Sequence, residues 1–246
     1  MYPGIQNGPK FAHRKSNLTP MKKSILKLIG LPIIICGLFL LILIPFQSCK
    51  PEEPDDTNEC DTCIIALKPN IYIYPTERSQ ISVNLSFPYG GKIITSIPYY
   101  GRGWTIDVDT SGFINNKYEY LFYESEQPDV WQLNEGWIIK RSELNTFFSD
   151  NMLRYGFFGK EIIDFTDYWI PRLVNFEYYE IYPQESDIIG TVIKLGISKV
   201  PDNTLRLFYV IKGVNSDSNN KINIPIKNIQ FTRSGFCVTE WGVILK

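Results

Sequence analysis

The sequence predicts an α+β domain: a mostly antiparallel sheet or sandwich with one inserted pair of helices. Three observations predict it. Short runs that alternate apolar and polar residues recur on both sides of the chain's middle, the period of half-buried strands. The middle alone changes to helical spacing. Helices do not alternate with strands, so βαβ units and a parallel sheet are not expected.

Residues 1–20 carry Pro3, Gly4, Gly8 and Pro9 without apolar periodicity, and are expected to be an upstream extension outside the mature protein. Residues 21–49 have the layout of an export signal. Lys22, Lys23 and Lys27 lead into the apolar run Leu28–Phe46, and Ser48 precedes Cys49. Phe46-Gln-Ser-Cys49 resembles, with Phe46 where Leu is usual, the processing site of bacterial lipoproteins. There the thiol is acylated and becomes the new N-terminus, so Cys49 is the expected lipid attachment site. The run's 19 residues are also close to the ~20 that cross a bilayer, which makes an uncleaved anchor the alternative. Basic residues precede the run and acids follow it, an asymmetry that puts the C-terminal bulk outside the cytoplasm. Residues 50–63 form an acidic, proline-broken tether with Pro51, Glu52, Glu53, Pro54, Asp55 and Asp56. An acidic patch just after an acylated cysteine resembles the surface-export signal of lipoproteins in the Bacteroides group. The expected location is therefore the cell envelope, at the outer membrane and exposed on its surface.

Residues 64–246 are expected to form one β-rich extracytoplasmic domain. Asn70 to Tyr74 is a β-branched and aromatic run closed by Pro75. Ile81, Val83, Leu85 and Phe87 alternate with Ser82, Asn84 and Ser86, and Trp104, Ile106 and Val108 with Thr105, Asp107 and Asp109. Tyr118–Glu124 and Gly136–Lys140 continue the pattern, and Asp109-Thr-Ser-Gly112 fits a hairpin turn. A first helix is expected from Ser142, an N-cap residue, to Gly156, with Leu144, Phe147, Phe148 and Met152 on one face. A second should run from Lys160 to Trp169, with Ile162, Ile163, Phe165 and Trp169 inward. Strands return at 176–181, 189–197, 205–214, 222–226 and 235–245. Trp104, Phe122, Trp169 and Trp241 are expected in the core.

Composition excludes several functions. The chain has 25 Lys and Arg, 26 Asp and Glu, and one His. Six of the basic residues and none of the acids fall in the first 49, leaving 19 against 26 and a net charge of −7 for the exported part. A nucleic-acid backbone calls for a basic surface, so no nucleic-acid partner is expected. His13 lies in the upstream extension, which removes Ser-His-Asp and Cys-His catalysis and histidine zinc sites from the exported domain. There is no P-loop or GxGxxG, Gly101-Arg-Gly103 being only a fragment, and no cofactor is expected. Asp107-Val-Asp109-Thr-Ser111-Gly112 imitates the start of a calcium loop. Tyr118 stands where its bidentate Glu belongs, so the turn reading prevails and no metal is expected.

The phrase Lys68-Pro-Asn-Ile-Tyr-Ile-Tyr-Pro75 resembles KPxIYLYP, which opens a domain found in uncharacterised bacterial and fungal proteins. Gly103-Trp104, Tyr120-Leu-Phe-Tyr-Glu124, Tyr168-Trp169-Ile-Pro171 and Arg233-Ser-Gly-Phe236 agree with later phrases of that family in order. Glu240-Trp241-Gly242 resembles its closing EWGG, with Val243 in place of the last glycine. The resemblance spans roughly 65 to 246 and implies a domain boundary but no activity.

Two glutamates and three cysteines remain as candidates. Glu124 and Glu240 would serve a glycan hydrolase if they flanked one gap, one as acid and the other as nucleophile or base. The competing reading is that Glu240 is structural. On its strand it shares a face with Phe236 and Val238, so it needs a basic or hydroxyl partner nearby. Cys60-Asp-Thr-Cys63 and Cys237 are candidates for a disulfide, either Cys60–Cys63 or one of them with Cys237. The expected function is binding of an envelope component, a glycan or another protein, with the membrane as partner through the lipid anchor. Glycan hydrolysis and a purely structural envelope role are the alternatives. Aromatic rings exposed in a groove would favour glycan binding, and the same rings buried would favour structure.

Overall fold

The computed structural model describes residues 62–216, 222–225 and 231–246. The expected lipid site Cys49, the upstream extension, the signal and most of the tether lie outside them. Among the described residues no helix is long and apolar enough to cross a membrane.

Among the described residues, ten strands and three helices follow in chain order. They are β1 (Cys63–Tyr74), β2 (Ser79–Ser86), β3 (Lys92–Ile97), β4 (Trp104–Val108), β5 (Leu121–Pro128) and β6 (Trp137–Lys140). Then come α1 (Leu144–Tyr155), α2 (Lys160–Trp169), β7 (Tyr178–Glu185), α3 (Ser186–Val192), β8 (Lys194–Ile197), β9 (Asn203–Val214) and β10 (Cys237–Leu245). Seven strands form one sheet in the order β3-β5-β1-β10-β9-β7-β6, and three form a second in the order β4-β2-β8. All pairings are antiparallel except β9 with β10. The expected α+β architecture with a mostly antiparallel sheet and inserted helices is thus what the chain adopts.

The seven-stranded sheet divides two cores, and strand alternation decides which residue enters which. On β1, Ile71 and Ile73 pack with Val83 and Ile106 of the small sheet, while Tyr72 joins the α1–α2 side. On β10, Val238 and Ile244 face the small sheet, and Trp241 and Val243 face the helices. Gly242 faces the ring of Phe208, which an added Cβ would meet at 3.0 Å. The Trp241-Gly242-Val243 segment is therefore continuous strand with no turn in it.

The helices dock through aromatic rings. Phe148 and Phe165 lie 4.9 Å apart between ring centres, and Phe165 meets Trp241 edge-on at 5.2 Å. Gly156 ends α1 in the left-handed region at φ 108°, as the sequence suggested. Glu161 on α2 is buried; Thr239 of β10 donates to it at 2.7 Å and Arg233 at 2.5 Å. Trp104, Trp169 and Trp241 are buried as expected, but Phe122 is only half-buried.

Several points differ from the sequence reading. Ile163, expected inward on α2, is exposed, and Ser142, expected to cap α1, lies in a 3-10 turn before it, so that Glu143 stands at the cap without a side-chain bond. The expected strand at 189–197 is α3 followed by the short β8. Ile189, Val192 and Ile193 are all buried at helical spacing, and that period was masked by their β-branched character. Of the expected strand at 222–226, residues 222–225 are described, and Asn223 there makes an isolated bridge to Glu135. Strand β3, an edge strand with exposed and half-buried side chains, carries no apolar alternation to reveal it.

Candidate functional site

Glu240 lies at the centre of the fold, fully buried between the two sheets. The Tyr123 hydroxyl donates to its Oε1 at 2.6 Å. The Arg206 guanidinium donates through Nε to its Oε2, and through Nη1 to the carbonyl of Ile193 at 2.6 Å. Both expected partners, a base and a hydroxyl, are therefore present. A buried carboxylate held by a neighbouring cation and a hydroxyl is a satisfied structural group.

Glu124 is not beside it. Tyr123 reaches into the sheet–sheet layer to bond Glu240, so its neighbour Glu124 projects from the opposite face of β5. The two carboxylates are separated by the thickness of the sheet and do not flank one gap, which corrects the paired-carboxylate hydrolase reading. The cysteines also resolve in part. Cys63 is disulfide-bonded, with a partner outside the described residues, as Cys60 itself is. Cys237 is a buried free thiol, so a bridge from it to Cys60 or Cys63 is not formed. In the calcium-like segment, Asp107 pairs with Arg78 at 2.6 Å and Asp109 caps its own turn through Ser111 and Phe113.

A different place has the features of a site. β1 is an interior strand of the large sheet, yet it contains Pro69, which has no N–H for the ladder. The chain absorbs this with a bulge: the register slips between Leu67 and Asn70 against β10, and between Ala66 and Asn70 against β5. Lys68 adopts φ 54° there, a left-handed conformation that costs a non-glycine residue on the order of 1 kcal/mol or more.

The bulge aims Lys68 into a cluster of rings. Its Nζ lies 5.1 Å from the centre of Tyr120, 4.8 Å from Phe122 and 5.0 Å from Tyr168, and 3.5 Å from the Tyr120 hydroxyl. Each such cation–π contact is worth about 0.5–2 kcal/mol, depending on desolvation. Burial pushes the Lys68 ammonium below the usual lysine range, against the opposing pull of Asp164 and Glu124.

Around it opens a cleft of about 620 Å³, lined by Lys68, Phe122 and Tyr168 together with Phe113, Lys117, Tyr118, Glu119, Tyr120 and Ile97. That volume falls within the range of small-molecule sites. An adjoining hollow of about 230 Å³ shares Phe113 and Glu119 and is closed by Tyr72, Tyr74 and Lys160. At this end Tyr72 donates to Asp164 at 2.9 Å, and Lys160 bridges Asp164 and Glu119 at 3.1 and 2.8 Å. Asn70 is fully buried and faces the hydroxyls of Tyr72 and Tyr120.

In the sequence Lys68 stands out only as the first residue of the phrase Lys68–Pro75. The signal that could have singled it out is Lys-Pro inside an apolar strand, which demands a bulge. No family model, no curated protein and no solved structure matches this chain.

Proposed function

We propose that this chain is an extracytoplasmic lipoprotein, anchored at Cys49, whose domain binds a saccharide in the cleft around Lys68. The observation that carries the reading is the cleft's wall. Tyr118, Tyr120, Phe122 and Tyr168 are half-buried rings on an open surface, with hydroxyl, ammonium and carboxylate groups between them. Ring faces bury the apolar C–H faces of a sugar, while the interleaved polar groups satisfy its hydroxyls. The adjoining hollow gives room for a second sugar unit. Four of the five tryptophans, Trp104, Trp131, Trp169 and Trp241, are buried and build the core instead, while Trp137 is half-buried. The disulfide at Cys63 is in keeping with a location outside the reducing cytoplasm.

The test is a panel of oligosaccharides titrated into the full-length chain in detergent, with Tyr168→Ala beside the wild type. Loss of about tenfold in affinity at an unchanged melting temperature supports the site. Unaltered binding by Tyr168→Ala removes it. Cys49→Ser should release the protein from membranes and abolish lipid labelling, and continued labelling of that variant would contradict the anchor.

A further inference from the structure

Resting on the saccharide reading of this cleft, we infer that its ligand is an acidic sugar, whose ring lies on the tyrosines and whose carboxylate is held by Lys68 and Lys117. The argument is the balance of charge facing the cleft. Lys68 has three ring faces and one long hydrogen bond to Tyr120, but no carboxylate within ion-pair distance among the described residues. Glu124 and Asp164 attract it from farther off, and Arg172, seated over Tyr168 at 3.7 Å, repels it. Lys117 lies over the Tyr118 ring at 4.8 Å, again with no ion pair among the described residues. The one carboxylate in the lining, Glu119, is already engaged by Lys160. Two ammonium groups thus face the cleft without an ion pair among the described residues, one of them on a strained bulge and partly stripped of water. A charge desolvated without a counter-ion is costly, and an incoming carboxylate removes that cost.

The experiment compares three probes on the full-length chain: digalacturonate, the matched neutral galactobiose, and acetate. Digalacturonate should bind about tenfold tighter than galactobiose, the gain expected of a charge-assisted contact. Lys68→Gln should bring it down to the neutral level. Lys117→Gln, on the exposed rim where folding is not at stake, should remove part of the preference. As pH rises, the preference should fade before the ordinary lysine range is reached, because burial holds the Lys68 ammonium below it. Equal affinity for the acidic and neutral disaccharides would overturn this inference while leaving saccharide binding intact. Failure of both to bind would remove both. Acetate binding as tightly as digalacturonate would show a simple anion site and overturn the acidic sugar.

Discussion

Replacing Glu240 by Gln separates structure from chemistry at the buried centre of the fold. The substitution keeps the shape and removes one charge, leaving the Arg206 guanidinium enclosed with its side chain only 5 % exposed. The Tyr123 hydroxyl and Arg206 Nε both donate to Glu240 now. A Gln amide can accept from one of them but must turn a second donor toward the other or flip. Breaking a buried pair by removing one partner costs about 3–5 kcal/mol, mostly as the uncompensated charge left behind. For a chain of this size that lowers the melting midpoint by on the order of 10 °C. Urea denaturation followed by tryptophan fluorescence reads it directly, with Trp104 and Trp241 close to the two cores as reporters. The double variant Arg206→Met with Glu240→Gln should lose less than the sum of the two single changes, since neither charge is then orphaned. Stability within about 0.5 kcal/mol of wild type would refute the reasoning, because surface-like tolerance is incompatible with an enclosed ion pair. So would loss of saccharide binding at an unchanged midpoint.

Further expectations can be checked on the same material. Burial raises the hydroxyls of Tyr72, Tyr123 and Tyr209 above the ordinary tyrosine value. The unfolded chain releases those protons near pH 10 while the folded chain keeps them, so stability is intact below pH 10 and falls as pH rises beyond it. Each such group adds about 1.4 kcal/mol per pH unit to the slope of urea-derived stability against pH, and a flat profile from pH 9 to 11 would contradict their burial. The Cys237 thiol is buried and raised by desolvation, so it should react slowly with a thiol reagent until urea unfolds the domain. Trp241→Ala should cost about 3–5 kcal/mol, whereas Phe122→Ala should cost less and weaken saccharide binding, a contrast readable by denaturation and titration together.

The fold was legible where one face of an element is apolar. β2 and β4 alternate cleanly, and α1 and α2 show helical spacing between a polar start and a glycine or proline stop. It was not legible in α3, where Ile188 and Ile189 carry strand-like side chains on a helix, nor in β3 at the solvent edge. The structural role of Glu240 was readable because strand alternation puts a carboxylate on an apolar face. Its partners were not, since Tyr123 and Arg206 lie 117 and 34 residues away in sequence. The cleft was missed for a similar reason. Lys68, Tyr120 and Tyr168 meet only through a bulge and a helix end, and neither leaves a local pattern that a search for paired carboxylates would register.

The claim that the cleft around Lys68 is where this domain meets its ligand is tested most directly by amide hydrogen exchange of the full-length chain, with and without saturating digalacturonate. Protection is expected to concentrate in segments 66–70, 113–122 and 164–172, which carry the cleft's lysines and rings. Protection confined to other segments, such as 190–206, which lines a separate hollow of about 410 Å³ with Lys194, Ile197 and Thr204, would contradict the account.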